Sequence, residues 1–262
     1  MSNSRELKTM IKLVKGDCLT AMNEIEDQSI DLVCCDMPYG TTQCKWDSVI
    51  NLEKLWPELE RVSKPNTAIV LFAQTPFDKV LGCSNLPLLK YEWIWEKPAA
   101  TGFFNAKKMP MKAHENILVF YKKLPVYNFT KTTGHERKTA SRFDHGSEVY
   151  GKAVKKTNYD STERYPRSVQ VFSSDKQRSK LHPTQKPLAL LEYIIKTYSN
   201  EGDHVLDFAS GSFTTGVACI NLNRKFIGIE INKNYFDIGV NRIKERIKCL
   251  DSKIEPTIIT GD

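Results

Sequence analysis

The chain has 262 residues, 40% of them hydrophobic and 26% charged, with a net charge of +7. That length holds one sizeable core, no apolar run is long enough to cross a bilayer, and the basic balance predicts an anionic partner. Seven scattered cysteines without C-x-x-C spacing argue against a disulfide or zinc framework; with no apolar leader at the start, we expect a soluble cytoplasmic protein with no membrane partner and no metal.

In chain order, the residue patterns predict seven strands and six helices. They begin with strand 11–15, helix 18–26, strand 30–35 and helix 52–62. Strand 67–73, helix 76–83 and strands 91–96 and 116–122 follow. Helix 187–198, strand 204–208, helix 214–223, strand 225–230 and helix 234–248 complete the series. Several strands are near-continuous runs of Val, Ile, Leu and Phe, the composition of strands buried on both faces of a parallel sheet. Their alternation with helices predicts a doubly wound α/β sheet, mostly parallel. Strands 91–96 and 116–122 have no helix between them, which predicts an antiparallel pair. Between 122 and 180 the periodicity fades, and fourteen lysines and arginines face six acids. A structureless loop of that length is improbable in a compact domain, so the stretch reads as an inserted subdomain.

Two strand ends carry chemistry. After strand 30–35 comes Asp36-Met37-Pro38-Tyr39, which by itself is either turn punctuation or a site. After strand 204–208 comes Asp207-Phe208-Ala209-Ser210-Gly211-Ser212-Phe213-Thr214-Thr215-Gly216, then a helix. An acid, a small-residue turn and a helix start admit a nucleotide-like ligand, because backbone N–H groups can approach it. Glu230, about twenty residues beyond the turn, stands where an acid takes the ribose hydroxyls. Neither G-x-G-x-x-G nor G-x-x-x-x-G-K-[ST] occurs, so the turn is not built around a pyrophosphate or triphosphate. A ligand with a ribose and no phosphate fits better, which points to S-adenosylmethionine. Its adenosine would meet Glu230 and its amino acid tail the turn.

Asp36–Tyr39, the basic insert, His182-Pro183-Thr184-Gln185-Lys186-Pro187 and the Asp207–Gly216 turn follow one another in the order of a known family. The chain resembles the β-class DNA amino-methyltransferases, which methylate exocyclic amines of adenine or cytosine. It is also similar to them at Lys15-Gly16-Asp17-Cys18, Trp95-Glu96-Lys97 and Ala113-His114-Glu115-Asn116. The resemblance implies a Rossmann-like methyltransferase sheet in circularly permuted order. Residues 1–121 would form the catalytic half, 122–180 the target-recognition insert and 181–262 the cofactor-binding half. It implies Asp36, Pro38 and Tyr39 as catalytic residues. Cofactor binding would fall to Asp17, Cys18, Asp36, Thr184, Gln185, Lys186, Asp207, Ala209, Ser210, Gly211, Ser212, Thr214, Glu230 and Ile231. Asp17 reads equally well as the N-cap of the helix after it. His114 and Glu115 read as packing and surface residues and are left outside the site.

The implied reaction takes a methyl group from S-adenosylmethionine, leaving S-adenosylhomocysteine, to adenine N6 in a base flipped from double-stranded DNA. No Pro-Cys dipeptide is present to support covalent ring-carbon methylation. Cytosine N4 is the close alternative; a catalytically silent DNA-binding partner subunit is another, and an RNA or small-molecule enzyme on the same fold a third. The family background makes the cell prokaryotic or the gene phage-borne, the location nucleoid-associated, and a homodimer plausible. In the insert, Lys131, Arg137, Lys138, Arg142, Lys152, Lys155, Lys156, Arg164 and Arg167 are expected at phosphates. Tyr127, Asn128, Tyr150, Asn158, Tyr159 and Gln170 could stack on bases or read them. Two positions depart from the family: Met37 replaces a proline, with Asp36, Pro38 and Tyr39 retained around it, and Phe213 replaces a glycine, which leaves open how closely the loop approaches the cofactor and how tightly it binds.

Overall fold

The computed structural model describes residues 10–40, 49–147, 151–173, 185–250 and 254–260. Its elements are β1 (Ile11–Lys15), α1 (Cys18–Met22), β2 (Ile30–Cys35), α2 (Leu52–Val62), β3 (Ser63–Ala73), α3 (Phe77–Ser84), β4 (Leu89–Thr101) and β5 (Lys112–Phe120). They continue with β6 (Lys138–Ser147), β7 (Gly151–Ser161), β8 (Val169–Val171), α4 (Leu188–Tyr198), β9 (His204–Asp207), α5 (Thr214–Asn221), β10 (Lys225–Glu230), α6 (Lys233–Cys249) and β11 (Thr257–Thr260).

The main sheet runs β11-β1-β10-β9-β2-β3-β5-β4-β8. Among the described residues it has nine strands, not the seven expected. The additional edge strands, β8 and β11, are short and largely exposed, so no buried run announces them. All neighbours are parallel except β5, which is antiparallel to both β3 and β4 as the missing helix predicted. In β2 the side chains alternate between faces. Leu32 and Cys34 join the cluster under α4, α5 and α6, while Val33 and Cys35 join the one under α1, α2 and α3. Helix α1 stops four residues earlier than expected. The Arg61 guanidinium donates to the carbonyls of Met22 (2.7 Å) and Ile25 (2.8 Å), a bonding pattern that favours a turn over further helix.

Register then determines what meets what. Leu32 pairs Val205, Gly228 pairs Asp207, and Lys15 pairs Glu230. The residues that follow β1, β2, β9 and β10 therefore emerge at one end of the sheet, the end where open parallel sheets bind ligands.

The basic stretch divides. Phe129–Arg167 forms a compact unit of its own, and the residues flanking it belong to the main unit. Within the smaller unit β6 and β7 make an antiparallel hairpin, from Lys138 opposite Ser161 to Ser147 opposite Gly151. On the main unit Asn128 donates to the carbonyls of Lys196 and Ser199, and β8 lies along β4. No helix among the described residues is long and apolar enough to cross a membrane.

Candidate active site

A cleft of about 350 Å³ opens at that sheet end, lined by the ends of β1, β2, β9 and β10 and closed on one side by β4 and β5. Asp36 stands just past β2. Its Oδ1 accepts from the Tyr39 hydroxyl (2.5 Å) and its Oδ2 from Lys186 Nζ (2.5 Å). Lys186, only 7% exposed, also lies 3.2 Å from Glu115 Oε2, and Glu115 Oε1 accepts from Lys97 (2.5 Å). Two carboxylates and two ammonium groups thus alternate along the cleft wall. The Tyr39 ring stacks on Phe77 with centroids 5.6 Å apart, while Met37 is buried in the core.

Charge within this chain is set by opposing pulls. Burial lifts the Asp36 carboxyl above the ordinary aspartate value, and Lys186 only partly reverses that. Burial also works against the Lys186 ammonium, but Asp36 and Glu115 outweigh it and raise its pKa. Glu115 goes the other way: burial is overcome by Lys186 and Lys97, and its pKa is lowered.

The opposite wall is held by amides. Glu230 Oε2 accepts from the Gly211 N–H (2.8 Å) and Oε1 from the Asn232 N–H (2.7 Å). Burial pushes Glu230 up to about 7 and Asp207 up to about 6. Gly211 sits at φ 52, a backbone region glycine enters without cost. Arg242 of α6 props the turn, donating to Ser212 O (2.5 Å), Ser212 Oγ (2.7 Å) and Thr214 Oγ1 (3.0 Å). Burial also pushes the Cys18 thiol up to about 12, so it stays protonated and serves as an apolar wall.

Phe213 does not stand between the loop and the cleft. Its φ of 54 is the left-handed conformation, which costs a non-glycine residue ~1–2 kcal/mol. Its ring points into the core, fully buried, edge-on to Phe226 and Phe236 with centroids 6.2 and 5.7 Å away. The space comes from two glycines. A Cβ on Gly239 would lie 2.0 Å from the ring and one on Gly228 2.6 Å from it.

Asp36, Pro38 and Tyr39 line the cleft together with Asp17, Cys18, Gln185, Lys186, Asp207, Ala209, Ser210, Gly211, Ser212, Thr214, Glu230 and Ile231. Asp17 is at the same time the N-cap of α1, accepting from the Thr20 N–H at 3.1 Å. Thr184 lies outside the described residues. Glu115 is the residue that reasoning from sequence set aside and the structure brings in; Lys97 and Trp95 enter with it. Register was the usable signal, because Trp95 pairs Glu115 directly across β4 and β5.

Within the smaller unit the expected phosphate cations differ in their engagements. Arg164 donates to the carbonyls of Ser161, Glu163 and Glu136, which ties the base of the hairpin together. Lys131 pairs with Glu163 and Arg137 with Asp160. Lys138, Lys156 and Arg167 are exposed, while the side chains of Arg142, Lys152 and Lys155 lie outside the described set. Tyr159 donates to Glu163 O, and Tyr150 is not among the described residues.

A parallel sheet with an acid at each of three adjacent strand ends, and an Asp-x-Pro-Tyr corner, defines a class of group-transfer enzyme. The DNA methylase family model matches residues 30–241. DNA adenine methyltransferase YhdJ of Escherichia coli (strain K12) is 32% identical, over 91% of this chain and 83% of its own length. Type II methyltransferase M.HpaI of Haemophilus parainfluenzae is 30% identical, over 92% and 76%. Among solved structures, the M1.HpyAVI–SAM complex superposes with a TM-score of 0.62 at 26% identity, covering 89% of this chain and 99% of that one. The cytosine-N4-specific PvuII DNA methyltransferase shares the fold, with a TM-score of 0.65 at 15% identity, covering 97% and 96%. The chain belongs to the N6/N4 DNA methylase family.

Proposed function

We propose that this chain is a site-specific DNA methyltransferase that transfers a methyl group from S-adenosylmethionine to the N6 amine of an adenine turned out of the duplex. The observation that carries the reading is Asp36, fixed through both oxygens at one wall of a cleft whose other wall presents Glu230 and the Gly211 turn.

The residues fit such a cofactor. Among the described residues Gln185 Oε1 is buried without a partner, and Gln185 lines the cleft, an acceptor suited to the ammonium of the methionine tail. Glu230 and Asp17 are acceptors for hydroxyl and adenine donors. When bound, S-adenosylmethionine supplies an electrophilic methyl carbon on a sulfonium. The adenine amine is a poor nucleophile because its lone pair is delocalised into the ring. A carboxylate has about four lone-pair sites, so Asp36 keeps room for an amine proton beside Tyr39 and Lys186. A backbone carbonyl of the Met37–Pro38 corner accepts the second amine proton, and proline pre-sets the direction of that corner. The amine is thereby held pyramidal, its lone pair turned toward the methyl carbon, and the barrier falls through positioning and electrostatics. Burial raises the proton affinity of Asp36, which suits it to take the proton the nitrogen sheds once methylated. We assign target recognition to Phe129–Arg167.

The adenine choice is supported by the Asp start of the corner and by the adenine-specific relative at 32% identity. The test is nucleoside analysis of unmethylated duplex DNA after incubation with the chain and methyl-labelled S-adenosylmethionine. N6-methyladenine is expected. N4-methylcytosine would move the target base, and an absence of methylated nucleoside would overturn the assignment.

A further inference from the structure

One exposed segment is used by neither wall of the cleft. β4 and β5 close as a hairpin at Thr101 opposite Lys112, and the loop between them, 102–111, begins at Gly102 with φ 92 and turns through a short 3-10 segment, Phe103–Asn105. β4 lies antiparallel to β5, and β5 to β3. The end of β4 therefore points the same way as the ends of β2 and β3, and the loop rises from the sheet end that carries Asp36. Its two feet, Thr101 and Lys112, line the cleft. At its tip Phe103 is 76% exposed and Phe104 100%, with Met109 at 57%. Lys107, Lys108 and Lys112 flank them, and no acid occurs between Glu96 and Glu115.

Two largely exposed aromatic rings on a cationic loop fit a partner that is apolar in its interior and anionic outside. We propose that Phe103 and Phe104 form a wedge that enters the base stack of the DNA duplex beside the target adenine, with Lys107 and Lys108 on the flanking phosphates. This rests on the methyltransferase reading above. Apolar side chains inserted between base steps unstack them, and a base whose stacking is broken costs less to turn out toward Asp36. A second copy of the chain fits the patch poorly. In a two-fold contact the patch would meet itself, setting lysines against lysines, whereas phosphates supply the opposite charge.

The recognition sequence is first read by modification-sensitive sequencing of DNA methylated by the wild-type chain. Single-turnover methylation is then measured for wild type and the Phe103→Ala/Phe104→Ala variant on two duplexes containing that sequence. In one the target adenine is paired; in the other it lies opposite an abasic site and needs no unpairing. The variant is expected to lose about tenfold or more on the paired duplex and to come within about threefold of wild type on the abasic one. Its S-adenosylmethionine affinity and circular dichroism should be unchanged, since neither ring is buried. Equal losses on both duplexes, or none on either, overturn the wedge and leave the methyltransferase reading standing. A dimer in wild type that becomes a monomer in the variant, by sedimentation, assigns the rings to a second copy instead. A wild-type chain that methylates no DNA overturns both.

Discussion

Two carboxylates line the cleft, at the ends of β2 and β10, and are held by opposite means. Asp36 is set among cations and a hydroxyl, in a chain that runs on to Glu115 and Lys97. Glu230 is set by two backbone N–H groups. Side-chain ions can be rearranged by a ligand, whereas amides belong to the turn and do not move without it. The comparison teaches a division of labour. The Asp36 wall can respond to the charge that develops during transfer, and the Glu230 wall offers a preformed outline to whatever binds.

The sharpest way to break this contrast is Asp36→Ala. Loss of a positioned acceptor in the transition state costs ~3 kcal/mol or more, so single-turnover methyl transfer should fall at least about a hundredfold. Lys186 keeps Glu115 as its counter-charge, so the chain should still fold and bind S-adenosylmethionine within about threefold of wild type, both checked by calorimetry. Near-normal turnover would remove Asp36 from the chemistry.

On the other wall, Glu230→Ala should act on binding. Charge-assisted hydrogen bonds are worth roughly 1.5–3 kcal/mol each, which predicts about a ten- to hundredfold weaker cofactor affinity with transfer at saturation little changed. The sign of the pH effect follows from the raised value of about 7 in the free protein. A ribose needs the carboxylate, so wild-type affinity should fall as pH drops through 7, and the same titration on Glu230→Gln should be flat across that point. A wild-type affinity independent of pH would mean that Glu230 only shapes the turn.

Glu115→Gln sharpens the contrast from within the ionic wall. It removes one counter-charge from Lys186, which then leans harder on Asp36. We expect turnover to fall by about tenfold, the coupling of members of one salt-bridge network, while cofactor affinity holds, measured as kcat against KM. If KM alone rose, Glu115 would belong to cofactor binding instead. The smallest effect is expected away from the cleft. Lys138→Ala with Lys156→Ala should lower DNA affinity on all sequences and reduce the salt slope by about two, read by fluorescence anisotropy over a salt series. An unchanged slope would take these lysines off the phosphate backbone.

The parts of this molecule that burial dictates were legible from residues alone. β1, β2 and β10 fall where the Val, Ile and Phe runs placed them, since strands sandwiched between helices must be apolar on both faces. β6 and β7 were not legible, because a stretch rich in Lys, Thr, Asn and Ser carries no apolar alternation with a period of two. The same limit hid β8 and β11. In the site, Asp36, Asp207 and Glu230 could be read because each closes a buried strand. Glu115 could not, because its meaning lies in a partner eighteen residues away on the neighbouring strand. Where the Phe213 ring goes was not legible for a related reason: only the packing shows that it turns into the core.

That ring also constrains the order in which this sequence can change. The three atoms nearest a Cβ on Gly239 all belong to Phe213, so that glycine is locked while the phenylalanine is present; a Cβ on Gly228 would meet Phe226 at 2.5 Å as well as Phe213 at 2.6 Å, so it stays locked even without Phe213. Phe213→Gly would relieve the strained φ but empty a fully buried site, a change that in cores costs about 3–5 kcal/mol for Phe→Ala. Position 213 can therefore shrink only through a destabilised core, unless a larger residue arrives at 239 in the same step. Positions 213 and 239 are thus coupled, and a designer grafting this turn onto a related sheet would have to move both together.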